Sequence, residues 1–254
     1  MRAVVVVDVE AAAETGDRAG ESNLFTIFLP FRSTCAEKLA TLVVMAEKKR
    51  DFTIRMMREE DYPQIQEIYE IGLDTGHASW EHSAPEWDEF IALKRVDLCY
   101  VAVDAENPDK ILAWASAAPV SKRPIFNGVI EDSIYVHPDG QGMGLAATLL
   151  QKLIDDATEL DCWSIHSWVF PENVGSLKLH RKLGFREVGI YHHMAKMTYG
   201  PMAGQWRDVI ILEKLLEKPE ERALKRVQEE AEAAGEPNRP ILDKLDRADG
   251  QVGA

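Results

Sequence analysis

The stretch of this chain best equipped for chemistry is Ile134-Tyr135-Val136-His137-Pro138-Asp139-Gly140-Gln141-Gly142-Met143-Gly144-Leu145-Ala146-Ala147. An extended apolar run enters a glycine-rich turn, and the turn opens a strongly apolar helical segment. Glycines let the backbone come close to a ligand, and the exposed N–H groups at a helix start bind anionic oxygens. A pyrophosphate suits such a turn, and because the backbone binds it, side-chain charge elsewhere is no obstacle. Gly142-x-Gly144-x-x-Ala147 satisfies the dinucleotide spacing, with Glu172 at the end of the next strand where a ribose-binding acid would stand. In that fold, however, the strand runs directly into the first glycine. Here His137–Gln141 intervene, and an antiparallel run of strands precedes the turn.

A second spacing overlaps the first. Gln141-x-x-Gly144-x-Ala146 follows Tyr135-Val136-His137-Pro138, and Asn173-x-x-Ser176-x-x-Leu179-His180-x-Lys182-x-Gly184-Phe185 comes downstream. Together these resemble the acetyl-CoA loop and the second signature of the GNAT acyltransferase superfamily. Glu131-x-Ser133-x-Tyr135-Val136-His137-Pro138, His180 and Trp206-x-Asp208-Val209 are similar to the phosphinothricin/methionine-sulfoximine N-acetyltransferase group. The resemblance covers residues 52–216. It has departures: Gln141-Gly142-Met143-Gly144 stands for Arg-Gly-Lys-Gly, Val120-Ser121-Lys122-Arg123 for Phe-Arg-x-Arg, and Met197–Gln205 is an added loop.

The resemblance implies acetyl transfer from acetyl-CoA to the primary amine of a small molecule, an amino-acid analogue such as phosphinothricin or methionine sulfoximine/sulfone. It also implies a homodimer with substrate sites near the subunit contact. Such chemistry requires amine deprotonation, carbonyl polarisation, alignment and a leaving thiolate. Glu131, on the strand leading to the turn, is the candidate base. His180 lies near where the resemblance puts the thiol, and an imidazole can relay a proton near neutral pH. By the same resemblance Tyr135, Val136, Gln141, Gly142, Met143, Gly144, Leu145 and Ala146 hold the cofactor. Backbone N–H groups around Val136 polarise the carbonyl, and Asn173 and Ser176 bond the pantetheine arm. On the acceptor side stand Trp80, and Lys122 with Arg123 for an anionic head. Transfer to another amine (a drug or a protein N-terminus), a CoA-binding module without catalysis, and a nicotinamide-dependent oxidoreductase are the competing readings.

These groups need a scaffold. Phe52–Met56 reads as a strand. Asp61 can cap a helix with Pro63 in its first turn and Ile65, Ile68, Tyr69 and Leu73 on one face. A second helix follows Ser83, with Pro85 and Glu86 in its first turn. Cys99–Val103 and Ile111–Ala117, parted by Asn107-Pro108, form a hairpin. Ile130–Val136 is a strand, Gly144–Thr158 a helix, Cys162–Val169 a strand and Val174–Leu183 a helix. Phe185–Tyr191 and Val209–Leu215 are the last strands, and Pro219–Ala234 a charged, solvated helix. The expected class is α+β: a GNAT fold with a mixed, mainly antiparallel sheet flanked by helices.

The chain has 254 residues and a formal net charge of −14. Residues 1–44 carry −2 and residues 217–254 carry −3, leaving −9 to residues 45–216, which hold all six tryptophans. We therefore expect a catalytic domain over 45–216, an N-terminal extension over 1–44 and a charged helical tail over 217–254. The extension is expected to be dispensable, since Met45-Ala-Glu-Lys-Lys-Arg reads like a start. Net acidity argues against nucleic-acid or anionic-membrane partners, and no apolar run is long enough for a membrane span. Cys35, Cys99 and Cys162 are too scattered for a disulfide framework or zinc site. His77, His82, His166, His192 and His193 lack metal spacing, and the last two point opposite ways on a strand, so no metal is expected. A reduced cytoplasmic protein is the expectation.

Overall fold

The computed structural model describes residues 51–233. Cys35 and the extension over 1–44 lie outside them. Among the described residues seven strands form one sheet in the order β1-β2-β3-β4-β5-β7-β6: β1 Phe52–Met56, β2 Arg95–Asp104, β3 Ile111–Pro119, β4 Val129–Val136, β5 Ser164–Val169, β6 Arg186–Lys196 and β7 Trp206–Leu215. Every neighbouring pair is antiparallel except β4–β5. A dinucleotide fold needs successive parallel units, so this topology does not support that reading of the glycine turn.

Among the described residues there are five α-helices: α1 Tyr62–Asp74, α2 Trp87–Ile91, α3 Leu145–Glu159, α4 Val174–Lys182 and α5 Pro219–Ala233. The core is split by the strand alternation. On one face Leu149, Leu150 and Leu153 of α3 lie against Leu98, Tyr100, Leu112, Ile130 and Ile134, with Leu177 of α4 beside them. Each such leucine contributes about 1.5–3 kcal/mol of transfer free energy. On the other face Ile65, Ile68 and Tyr69 of α1 and Phe90 of α2 meet Val101, Val103, Trp114 and Tyr135. Trp114 and Tyr135 stack at 4.5 Å with planes 17° apart. Gly72 lets α1 approach closely, because a Cβ there would stand 2.7 Å from the Tyr135 ring.

Several boundaries differ from expectation for local reasons. Asp61 precedes α1 without capping it: its carboxylate takes both Arg55 guanidinium N–H groups, at 2.7 Å each, and the Arg58 N–H. The second helix is only Trp87–Ile91, since Glu86 is extended and the Pro85 carbonyl accepts from the Tyr62 hydroxyl. β6 runs beyond Tyr191 to Lys196 through a bulge where His193 has φ +52°. Asp208 holds that bulge, accepting from His192 Nδ1 and the His193 N–H, each at 2.8 Å. The Met197–Gln205 loop is closed by Met197 N–H to Gln205 O at 3.0 Å and Gly204 N–H to Met197 O at 2.7 Å.

Candidate active site

The glycine turn becomes a short 3₁₀ turn, Pro138–Gly140, followed by Gly142 and Gly144 at φ +73° and +80°. Both are in the left-handed region that favours glycine. A Cβ on either would meet nothing within 4 Å among the described residues, so both border open space there. Gly144 is the N-cap of α3, and neither a side-chain cap nor a first-turn acid satisfies the helix start. The first-turn N–H groups therefore point outward without intrahelical acceptors, beside a partial positive charge. A cavity of about 320 Å³ opens there, lined by Val136, Gln141, Gly142, Gly144, Leu145 and Ala146 among others. The buried Gln141 Nε2 has no hydrogen-bond partner among the described residues. Open glycines, an uncapped helix start and an orphaned amide fit a pyrophosphate-bearing ligand.

Val136, which lines this cavity, ends β4, and by that point β4 has parted from β5. β4 and β5 pair over three positions, Val129–Ser164, Ile130–Ile165 and Glu131–His166, and no further. His137 gives its N–H to Leu112 O on the β3 side. By alternation, the main-chain groups of Ile134 and Val136 turn the other way, into the gap. An extended ligand arm can be held there by strand-like hydrogen bonds.

Asp132, the first β4 residue past the ladder, points to the α3 face and is fully buried. Ser167 Oγ–H donates to its Oδ1, and His180 Nε2 lies 3.1 Å from its Oδ2. His180 is also fully buried, with Nδ1 2.7 Å from the Ser176 carbonyl. Both ring nitrogens are thus engaged by protein, which does not fit the expected direct part of His180 in catalysis. Asn173 caps α4 by accepting the Ser176 N–H at 3.0 Å, and its Nδ2 donates to His77 O at 3.4 Å. Asn173 and Ser176 therefore turn into the protein, and Gly175 and Leu179 line the cavity instead.

Glu131 faces the α1 side, opposite Asp132 and His180. It is 7% exposed and sits in register with Ala118 on β3 and His166 on β5. Ser133 and Tyr135 share its face. Lys94 Nζ donates to Ser133 Oγ at 3.4 Å, bringing a cation to this surface. The His166 imidazole is held below its ordinary range by burial, against the opposing pull of Glu213. Trp168, two residues along β5, lines a second cavity of about 180 Å³ with Trp80, Met194 and Ala195. Trp80 lies 4.4 Å from the Phe170 ring, and Arg207 Cζ 3.8 Å from the same ring. Arg207 is buried, donating to Gly76 O at 2.7 Å and pairing with Glu172 at 3.1 Å, so Glu172 serves a structural ion pair. Burial and the Arg207 charge hold the His77 imidazole below its usual range, with Glu172 opposing.

Of the predicted residues, the structure gathers Val136, Gln141, Gly142, Gly144, Leu145 and Ala146 around one cavity. Met143 packs against the core, and the Tyr135 ring lies on the α1 side, its hydroxyl donating to Ala78 O at 3.2 Å. Trp80 lines the second cavity, whereas Lys122 and Arg123 are exposed on the β3–β4 connection and line neither. Asp132, Ser167, Trp168 and Met194 escaped the sequence reading, and His166 is weighed there only as a metal ligand. A charged residue inside the apolar run Ile130–Val136 was the one available signal, at Asp132. Among the described residues, no three His, Cys, Asp or Glu side chains gather as a metal set.

Residues 62–185 match the acetyltransferase (GNAT) family. The chain is 32% identical over 168 residues to phosphinothricin N-acetyltransferase of Alcaligenes faecalis, covering 65% of this chain and 82% of that protein. It is 29% identical over 168 residues to the L-methionine sulfoximine/L-methionine sulfone acetyltransferase of Salmonella typhimurium, covering 65% and 95%. Among solved structures, a GNAT superfamily phosphinothricin acetyltransferase from Sinorhizobium meliloti in complex with AcCoA superposes with TM-score 0.57 at 26% identity. That superposition covers 65% of this chain and 88% of that one.

Proposed function

The chain belongs to the acetyltransferase (GNAT) family and is an acetyl-CoA-dependent N-acetyltransferase, and from that premise we propose that its acceptor is the primary amine of a small amino-acid analogue of the phosphinothricin or methionine sulfoximine/sulfone kind. The observation that carries this reading is the meeting of the glycine-turn cavity with the parting of β4 and β5 just past Glu131. The acceptor class is supported by the relatives and by the cavity at Trp80, Trp168 and Met194, on the face that carries Glu131.

In this proposal the N–H groups at the start of α3 and the Gln141 amide hold the pyrophosphate. Acetyl-CoA, when bound, supplies an acetyl thioester. Main-chain N–H groups of Ile134 and Val136 polarise the carbonyl, as fixed dipoles in a site closed to water do. Glu131 accepts the amine proton, directly or through a water, as nitrogen attacks the carbonyl carbon. The C–N bond forms, the C–S bond breaks, and the thiolate takes up a proton. Lys122 and Arg123, exposed near the start of β4, are proposed to meet an anionic acceptor head.

The catalytic unit is proposed as residues 45–216, with 1–44 an extension and 217–254 a tail. Ion pairs of Arg222 with Asp161 and Arg226 with Glu159 tie α5 to the end of α3. We propose a cytoplasmic homodimer, for which exposed Tyr191 and Trp206 on β6 and β7 offer apolar surface. The test is thiol release from acetyl-CoA over a panel of amines. Turnover with methionine sulfoximine or phosphinothricin above that with aminoglycosides and peptide N-termini is the expected result; a preference for peptides would replace the acceptor assignment.

A further inference from the structure

Resting on that reading, the inference concerns how the end of the acyl arm is placed. The β4–β5 backbone ladder stops at Glu131–His166, yet the strands remain joined one position further by side chains. Asp132 Oδ1 accepts from Ser167 Oγ–H across the two strands, and Asp132 Oδ2 meets His180 Nε2 at 3.1 Å. All three residues are fully buried. His180 is fixed from behind, because Nδ1, 2.7 Å from the Ser176 carbonyl, must carry a proton to face an acceptor. The chain Ser167–Asp132–His180–Ser176 O thus locks β4, β5 and α4 together at the point where the sheet opens.

We propose that Asp132 is a positioning residue: with Ser167 and His180 it forms a side-chain rung that sets where β4 and β5 part, and so where the thioester carbonyl stops relative to Glu131. Glu131 is the next residue on β4 and faces the other side, so a shift at Asp132 moves the base and the gap together. Displacements near 1 Å at such a centre cost up to roughly 10²-fold in rate.

The geometry separates placement from charge. An asparagine at 132 still accepts from Ser167 and can donate its amide N–H to His180 Nε2, while Nδ1–H remains on the Ser176 carbonyl. In the full chain, Asp132→Ala is expected to lower kcat roughly 10- to 100-fold, with the acetyl-CoA dissociation constant within about threefold. Asp132→Asn is expected to recover most of that loss. Ser167→Ala keeps the Asp132–His180 pair and is expected to lower kcat by a smaller factor; it decides the matter should Asp132→Ala fail to fold, as judged by circular dichroism and thermal melting. Wild-type kcat in a folded Ala variant at 132 or in Ser167→Ala overturns the proposal. So does an Asp132→Asn rate as low as that of Asp132→Ala, which would assign the role to the charge instead. If the wild-type chain releases no thiol from acetyl-CoA with any amine, the acetyltransferase reading has failed rather than the rung.

Discussion

Glu131 and Asp132 are neighbours in the chain, both carboxylates and both buried, yet strand alternation gives them opposite tasks. Asp132 has its hydrogen bonds filled by Ser167 and His180. Glu131 lies on the face of the Trp80–Trp168 cavity, beside a neutral-leaning His166. Glu131→Gln is therefore expected to lower kcat by roughly 10²- to 10⁴-fold, the usual share of general-base catalysis. Its acetyl-CoA affinity should stay near wild type, since the cradle lies elsewhere; steady-state rates paired with calorimetric titration check both halves. Trp168→Ala removes a wall of the proposed acceptor cavity without altering Glu131. Its expected signature is an amine KM raised by about tenfold, near 1.4 kcal/mol, with a smaller change in kcat; an unchanged KM would place the acceptor elsewhere.

At the scale of the element, the start of α3 is the proposed anion site, and net negative charge does not rule it out. The chain carries −14, but N–H groups and a helix dipole are unaffected by carboxylates beyond a Debye length. Gly144→Val would place a β-branched residue at φ +80° and aim its methyls into the cavity. We expect CoA binding weakened at least about tenfold, plus about 1–2 kcal/mol of backbone strain, read by titration and thermal melting. This turn was legible in the sequence because its information is local: glycines, an apolar helix and their spacing lie within fourteen consecutive residues. The rung at Asp132 was not, because its partners lie 35 and 48 positions away and meet only in the fold. The same limit applies to Asn173 and Ser176. The resemblance named them for the pantetheine arm, but a capping side chain and a ligand-binding one look alike in sequence. Strand ends misread by several residues, such as β6, depended on a bulge pinned by Asp208 from another strand.

At the scale of the whole molecule, the sheet is tied to α1 through a buried carboxylate. Burial alone would raise the Asp61 carboxyl; the Arg55 fork and the Arg58 N–H outweigh it and hold it below the ordinary range. A depressed folded value means stabilisation that is complete above the unfolded value, about 3.9, and lost as pH falls through the folded one. The melting temperature should thus drop as pH is lowered below about 4. Asp61→Asn should lower stability at pH 7 by about 1–3 kcal/mol and flatten that acid slope, as a melting series over pH would record; an unaltered slope would assign acid sensitivity to other groups.

The parting of β4 and β5 has a kinetic consequence as well. In the proposed arrangement the donor enters from the glycine turn at the end of β4, whereas the proposed acceptor cavity opens beside Trp168 of β5, on the α1 side of the sheet. On that proposal neither ligand has to cross the other's route, so occupancy of one site would leave the other accessible and both would be held at once when transfer occurs. Initial rates measured over a grid of donor and acceptor concentrations should give intersecting double-reciprocal lines. Parallel lines, or an acetyl group retained on the protein after incubation with acetyl-CoA alone, would mean instead that the two halves of the reaction are separated in time.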